Sequence, residues 1–319
     1  MTQRRQRPGA LLLCGLWLIS PAGGQSSFDW LSQPVYPAQV AMAGAGVAHV
    51  GSPEALTQNP AAMGVLGTAG SRSRLWLGGR QYAAGVGQLA ATLIFPKGVR
   101  TWGLELRSMQ YGRFDGYDAD GFSTGAYNAS ETGVRAGVRQ SIGRYLAVGG
   151  SAGILSGKLE EVGALAVVWS AGFTIHLPAV NAQLGGAIQN DGRYIQPYAL
   201  EGAASDLPRR WMVGLTKELA YLPLTFHLAA GQAETEKRLF WRVGGEFRLP
   251  RAMAFRWGVD QSKNDYITGN ANADLLSGIS FGLGTLQTEG RWARLALDSA
   301  VKLQGPLGIT SSFSVNFRL

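Results

Sequence analysis

The C-terminal stretch LGITSSFSVNFRL alternates by side-chain character along its whole length. Leu307, Ile309, Phe313, Val315, Phe317 and Leu319 fall on one face, with Ser311 their polar exception. Gly308, Thr310, Ser312, Ser314, Asn316 and Arg318 fall on the other. A period of two belongs to a β-strand, because successive side chains leave the pleat on opposite sides. The same period runs through LFWRVGGEFRL (Leu239 to Leu249), MAFRWGVD (Met253 to Asp260) and WARLALDSAVKL (Trp292 to Leu303). Leu239, Trp241, Val243, Phe247 and Leu249 oppose Arg242, Glu246 and Arg248; Met253, Phe255, Trp257 and Val259 oppose Arg256 and Asp260; Leu295, Leu297, Val301 and Leu303 oppose Arg294, Asp298 and Lys302. Segments of roughly ten residues have the length of a strand that crosses a bilayer, and the two faces then meet lipid and lumen.

The N-terminus restricts where such a chain works. Arg4, Arg5 and Arg7 precede an apolar stretch from Ala10 to Ile19, followed by Pro21, Ala22, Gly23 and Gly24. That is the layout of a cleavable export signal, with cleavage expected after Gly24. Cys14 lies within it, so export leaves no thiol and no disulfide framework. Glycine is abundant at 45 residues and charge is low at 16%, while no apolar run beyond the signal is long enough for a spanning helix. These features together predict an all-β fold: a transmembrane antiparallel β-barrel of about 14 strands over residues 71–319, in the outer membrane.

The expected links between strands sort by length. Short ones fall at Pro96 to Arg100, Ile142 to Tyr145, His176 to Asn181, Glu218 to Pro223, Leu249 to Ala252 and Gln287 to Arg291. Longer ones fall at Gly112 to Asn128, Ser156 to Gly163, Asn190 to Arg209, Gln232 to Arg238 and Gln261 to Asp274. Outer-membrane barrels have short periplasmic turns and long extracellular loops. The expected topology has a first upward strand at Ser71, periplasmic termini and extracellular long loops.

Residues 25–70 precede the first strand and are rich in Ala, Gly and Pro. Two short helices are expected, around Ala38 to Ala43 and Ser52 to Gln58. In the second, Ser52 is expected to cap, Pro53 to take the first helical position, and Asn59-Pro60 to stop the helix. Helices this short need a surface to pack on. The lumen of a barrel of about 14 strands supplies one, so this segment is read as a plug. Glu105, Arg107, Glu131, Arg135, Arg139, Arg242, Glu246, Arg256, Asp260, Arg294 and Asp298 are expected to line the lumen, pairing with one another or with the plug backbone. On that reading Arg256→Lys is harmless, whereas Val243→Arg or Trp257→Arg puts charge into lipid.

The stretch YPAQVAMAGAGVAHVGSPEALTQNPAAMG, Tyr36 to Gly64, resembles the N-terminal signature of the PorV/PorQ family of outer-membrane proteins, which is related to FadL-type barrels. The similarity continues through YGRFDGYDADGFSTGAYNASE, GILSGKLEEVGALAVVWSAGFTIHL, GGAIQNDGRYIQPY and SGISFGLGT, and these stretches look more like PorQ than PorV. The departure is Ala62-Met63 where many relatives have Gly-Leu or Leu-Leu. The resemblance implies a fourteen-stranded barrel serving type IX secretion, where PorQ-like members help hold a cell-surface attachment complex that links secreted proteins to anionic lipopolysaccharide. Asp115, Tyr117, Asp118, Asp120 and Phe122 are the candidate partner-binding residues of an outer loop.

Catalytic chemistry finds little support in the residues. His49, His176 and His227 include no metal-spaced pair, and no Gly-x-Ser-x-Gly elbow occurs. GAGVAH (Gly44 to His49) lacks the third Gly of a dinucleotide fingerprint, and DGYDADG (Asp115 to Gly121) lacks the distal Glu of a calcium loop. No cofactor or metal is expected. The formal charge of +8 falls to about +5 once the signal arginines are removed, which suits outer-membrane lipid and lipopolysaccharide. Nucleic acid is not an expected partner. Two functions follow: a non-enzymatic scaffold of type IX secretion, and alternatively a FadL-like transporter in which a hydrophobic solute binds in the lumen and leaves sideways near the plug. A continuous apolar region in the lumen would favour the transporter.

Overall fold

The computed structural model describes residues 28–64, 72–117, 120–160, 162–198, 206–234, 237–261, 276–286, 294–305 and 308–319. The expected signal, Ser71 and Asp118 lie outside these residues. The strands are β1 (Arg74–Gln81), β2 (Gly87–Lys97), β3 (Arg100–Tyr117), β4 (Ser123–Ile142), β5 (Leu146–Leu159), β6 (Val162–Leu177) and β7 (Ala182–Gln196). They continue with β8 (Arg210–Glu218), β9 (Leu224–Ala233), β10 (Leu239–Leu249), β11 (Met253–Asp260), β12 (Ile279–Thr285), β13 (Leu295–Leu303) and β14 (Ile309–Arg318). Each pairs antiparallel with its neighbours in sequence, and β1 pairs with β14, so the sheet closes into a 14-strand barrel. Closure removes both sheet edges, which matters where no water is present to satisfy backbone groups.

The alternation read from the sequence is the partition between wall faces. On β14, Thr310, Ser312, Ser314 and Asn316 are buried inward, whereas Ile309 and Phe313 are exposed outward. Asp298 faces the lumen beside Ser314, and Leu297 faces outward beside Val315, as the β13–β14 register requires. Leu104, Leu106, Val134, Ile154, Trp169, Val213, Leu283 and Phe313 all point outward and are exposed, an apolar belt suited to lipid. No helix among the described residues is long and apolar enough to cross a membrane.

Both ends of the barrel chain, at Arg74 and Arg318, are paired with each other at one end of the cylinder. At the opposite end the links are shorter than expected from the sequence, residues 197–209 standing where 190–209 was expected, with the exception of residues 261–278. The expected loop Ser156 to Gly163 is largely strand, with Leu159 paired to Val162. The expected loop Gly112 to Asn128 is a hairpin extension: Arg113 pairs with Asn128, Phe114 with Tyr127 and Asp115 with Ala126. Gly, Ser, Asp and Asn in these stretches signal turns, yet cross-strand pairing overrides that propensity. At 18 and 20 residues, β3 and β4 exceed the roughly 9–11 residues needed to cross a bilayer.

Inside the barrel lie two short helices, α1 (Pro37–Ala41) and α2 (Ala55–Gln58), with short 3-10 turns at Asp29–Ser32, Gly46–Ala48 and Pro60–Ala62. Tyr36, Val40, Met42, Val47, Leu56 and Met63 are completely buried. Full burial of such side chains is worth roughly 1.5–3 kcal/mol each, and it stabilises helices too short to persist alone. Close approach of plug to wall depends on lumen-facing glycines. A methyl group on Gly149 would stand 2.4 Å from the Pro60 carbonyl carbon, and one on Gly258 would stand 2.5 Å from that of Met42.

Candidate functional site

The lumen contains two unlike environments. Toward the end carrying the chain termini the plug is held by a polar, tightly bonded network together with small apolar clusters. Toward the other end the lumen is apolar and aromatic.

The polar half anchors the plug. Ser52 does not cap α2, contrary to expectation: its Oγ accepts from the Glu54 backbone N–H (3.2 Å) and from Gln39 Nε2 (3.2 Å), within the turn preceding the helix. Pro53 likewise sits in that turn, two residues before α2 begins. The shift follows from Glu54, whose side chain turns inward: Oε1 accepts from the N–H groups of Val35 (2.6 Å) and Tyr36 (2.9 Å), while Oε2 meets Arg107 of β3. Asn59 does stop α2, in extended conformation. Its side chain then caps the next turn by accepting from the Ala61 N–H at 3.1 Å, with Pro60 in first position. Its Nδ2 donates to the carbonyls of Val47 (2.7 Å) and Phe173 (3.1 Å), joining two parts of the plug to β6.

The expected lumen charges point inward except Arg294, and they divide among separate environments. Arg135 donates to Ser170 Oγ (2.9 Å) and Asn190 Oδ1 (2.9 Å), at a bulge in β7 where Asn190 is left-handed (φ 55°). Arg256 forks between Glu246 (2.6 Å) and Asp298 (2.5 Å). Arg242 lies over the Phe240 ring at 4.9 Å. Glu131 belongs to the other half of the lumen. Arg294, at the start of β13, is exposed. Lys302 pairs with Asp260 at 2.5 Å, an interaction absent from the sequence reading. His49 of the plug stacks on His227 of β9 (centroids 4.9 Å), and His227 Nδ1 lies 3.0 Å from Thr216 Oγ1. Asp115 and Tyr117 lie on the exposed end of β3, Asp120 and Phe122 in the exposed turn after it.

Between the two halves, wall arginines hold the chain leading into the plug. Arg80 donates to the Pro34 carbonyl (2.9 Å), Arg210 to that of Ser32 (2.8 Å) and Arg107 to that of Gln33 (3.4 Å). Above this floor, Phe28, Trp30 and Leu31 pack with Met109, Leu155, Ala164, Ala166, Val168 and Leu207 in one buried apolar cluster. Tyr82, Tyr111, Tyr194 and Tyr198 border it. Phe28 stacks on Tyr194 at 6.0 Å and meets Tyr198 at 6.2 Å. Glu131 accepts from the hydroxyls of Tyr111 (2.7 Å) and Tyr198 (2.9 Å). Tyr111 itself sits at a bulge in β3. Sequence reasoning missed this cluster because its members come from β3, β5, β6, β7 and three separate connecting segments. The retrievable signal was local: Phe28, Trp30 and Leu31 are large apolar residues directly ahead of a plug otherwise rich in small ones.

No known family profile matches the chain, and no curated protein does. Solved structures do. The toluene transporter TbuX of Ralstonia pickettii superposes with a TM-score of 0.60 at 14% identity, over 89% of this chain and 98% of that one. A mutant of the TodX monoaromatic hydrocarbon channel gives 0.62 at 12% identity, over 92% and 100%. A Pseudomonas aeruginosa FadL homologue gives 0.56 at 14%, over 93% and 100%. The fold is that of a FadL-like barrel. A FadL-like barrel fold implies an integral outer-membrane protein, and the first two of these neighbours are a transporter and a channel by name.

Proposed function

We propose that this FadL-like barrel admits a small hydrophobic compound at the outer membrane, with the Phe28 to Leu31 cluster marking where the compound is held. The observation that carries this reading is a buried apolar cluster bordered by four tyrosines inside the lumen, at the end of the barrel opposite the chain termini. A channel for water-soluble solutes has no use for it, whereas burial of an apolar solute there is favourable at about 25 cal/mol per Å². Pairing of β2 with β3 is continuous from Gly87–Gln110 to Lys97–Arg100, so passage involves movement of the plug or of the wall. In this reading the chain termini are periplasmic and the β3–β4 tip is extracellular.

A scaffold role in type IX secretion is a second reading. It is supported by the resemblance of Tyr36 to Gly64 and by the long β3–β4 hairpin, on which Asp115, Tyr117, Asp120 and Phe122 are exposed. On that reading the partners are a surface protein of the attachment complex and lipopolysaccharide.

Uptake of labelled toluene by cells carrying or lacking the gene tests the first reading. Faster uptake with the gene, reduced by Leu155→Arg in the cluster, supports it. Equal uptake with a normally assembled barrel overturns it, and co-purification of a surface protein that is lost on trimming 113–127 would favour the scaffold.

A further inference from the structure

The apolar cluster contains one charged acceptor and one strained residue. The strained residue is Phe28, a buried aromatic in left-handed conformation (φ 63°, ψ 27°), a region that side chains with a Cβ rarely occupy. Its ring stacks on Tyr194 and touches Tyr198, in the manner of a small aromatic guest held by tyrosines. The acceptor is Glu131, 5% exposed, whose two oxygens each accept one tyrosine hydroxyl, from Tyr111 and Tyr198. The Trp30 side chain also donates toward this carboxylate; an ionised carboxylate has about four acceptor positions, so one is left for another donor. Tyr198 connects the two features, presenting its ring to Phe28 and its hydroxyl to Glu131.

We propose that Phe28 is a built-in stand-in for the ligand, and that the site prefers single-ring aromatic compounds carrying a hydrogen-bond donor, of which phenol is the simplest, over bare hydrocarbons. This rests on the channel reading above. A ring taking the place of Phe28 stacks on Tyr194 and releases the backbone strain. A hydroxyl on that ring donates to Glu131. A bare hydrocarbon gains the stacking but leaves the remaining acceptor position of a buried carboxylate unfilled, and sites built around a hydrogen bond discriminate against analogues lacking it.

Titration calorimetry of the full-length barrel in nanodiscs, with phenol and toluene as probes, tests this. The expected result is at least tenfold tighter binding of phenol than of toluene. Phe28→Ala is expected to tighten both by a similar factor, because the competing ring is gone. Glu131→Met is expected to abolish the preference while toluene binding holds or improves. Equal affinities in both the wild type and Phe28→Ala would overturn the preference and leave the channel reading standing. Failure of both probes to bind either protein would overturn both. A preference that survives in Glu131→Met would remove Glu131 from the role. Should Glu131→Met fail to show heat-modifiable mobility, the wild-type and Phe28→Ala comparisons decide the matter.

Discussion

Glu54 in the plug and Arg107 on β3 form a buried ion pair, both side chains within 3% of full burial, and Arg107 also pairs with Glu105 at 3.0 Å. Tyr36 joins the same group through its hydroxyl, 2.7 Å from Thr92 Oγ1. The plug is thus tied to the wall by charge as well as by packing. Glu54→Ala leaves Arg107 with Glu105, whereas Arg107→Ala leaves two buried carboxylates without a cation. Breaking a buried pair costs about 3–5 kcal/mol. Arg107→Ala is therefore expected to expose the plug to protease more than Glu54→Ala does, and the double variant to cost less than the sum of the two. Plug cleavage rates in assembled barrels check both the order and the non-additivity.

Asn59 offers a test of shape against charge. Its Nδ2 donates to the carbonyls of Val47 and Phe173. Asn59→Ala removes the donor to both carbonyls and leaves the Ala61 N–H without its cap, and is expected to weaken plug docking by about 2 kcal/mol or more. Asn59→Asp keeps the shape but sets an oxygen against two carbonyl oxygens, so it is expected to be worse than alanine. The ranking can be read from the midpoint of plug release in denaturant.

Neighbouring glycines on β5 are predicted to behave oppositely. A Cβ on Gly149 would meet the backbone of Pro60 and Ala61 at 2.4–2.6 Å, while the nearest atom to one on Gly150 is a carbonyl oxygen at 3.8 Å. Gly149→Ala should displace the Pro60–Ala62 turn and raise plug cleavage. Gly150→Ala should leave it unchanged.

The outer faces supply a fourth prediction. Trp257→Arg and Val243→Arg place charge toward lipid and are expected to destabilise assembly by about 2–4 kcal/mol at mid-membrane. The harmlessness of Arg256→Lys expected from the sequence is revised. Arg256 bonds Glu246 and Asp298 through separate nitrogens of one planar group, and lysine cannot reproduce that fork. All three variants should lower the temperature at which heat-modifiable mobility is lost, with Arg256→Lys least affected.

The alternation of Leu297 with Asp298 and of Phe313 with Ser314 determined, by itself, which side chains meet lipid and which meet the lumen, because a strand offers only two faces. Helix-breaking at Asn59-Pro60 was equally legible, since the chain there is governed by local backbone geometry. The Glu131, Tyr111, Tyr198 and Phe28 constellation was decided only in the tertiary structure. Its members lie far apart in sequence, and barrel closure together with the β3 bulge at Tyr111 sets their meeting. The same holds for Ser52, whose capping position was readable but whose helix was not: the draw of Arg107 on Glu54 turned that residue inward and moved the start of α2 to Ala55. The long β3–β4 hairpin was misread as a loop for a related reason. Turn-forming residues record local preference, whereas cross-strand hydrogen bonds, made with a partner the local sequence does not contain, settle the backbone.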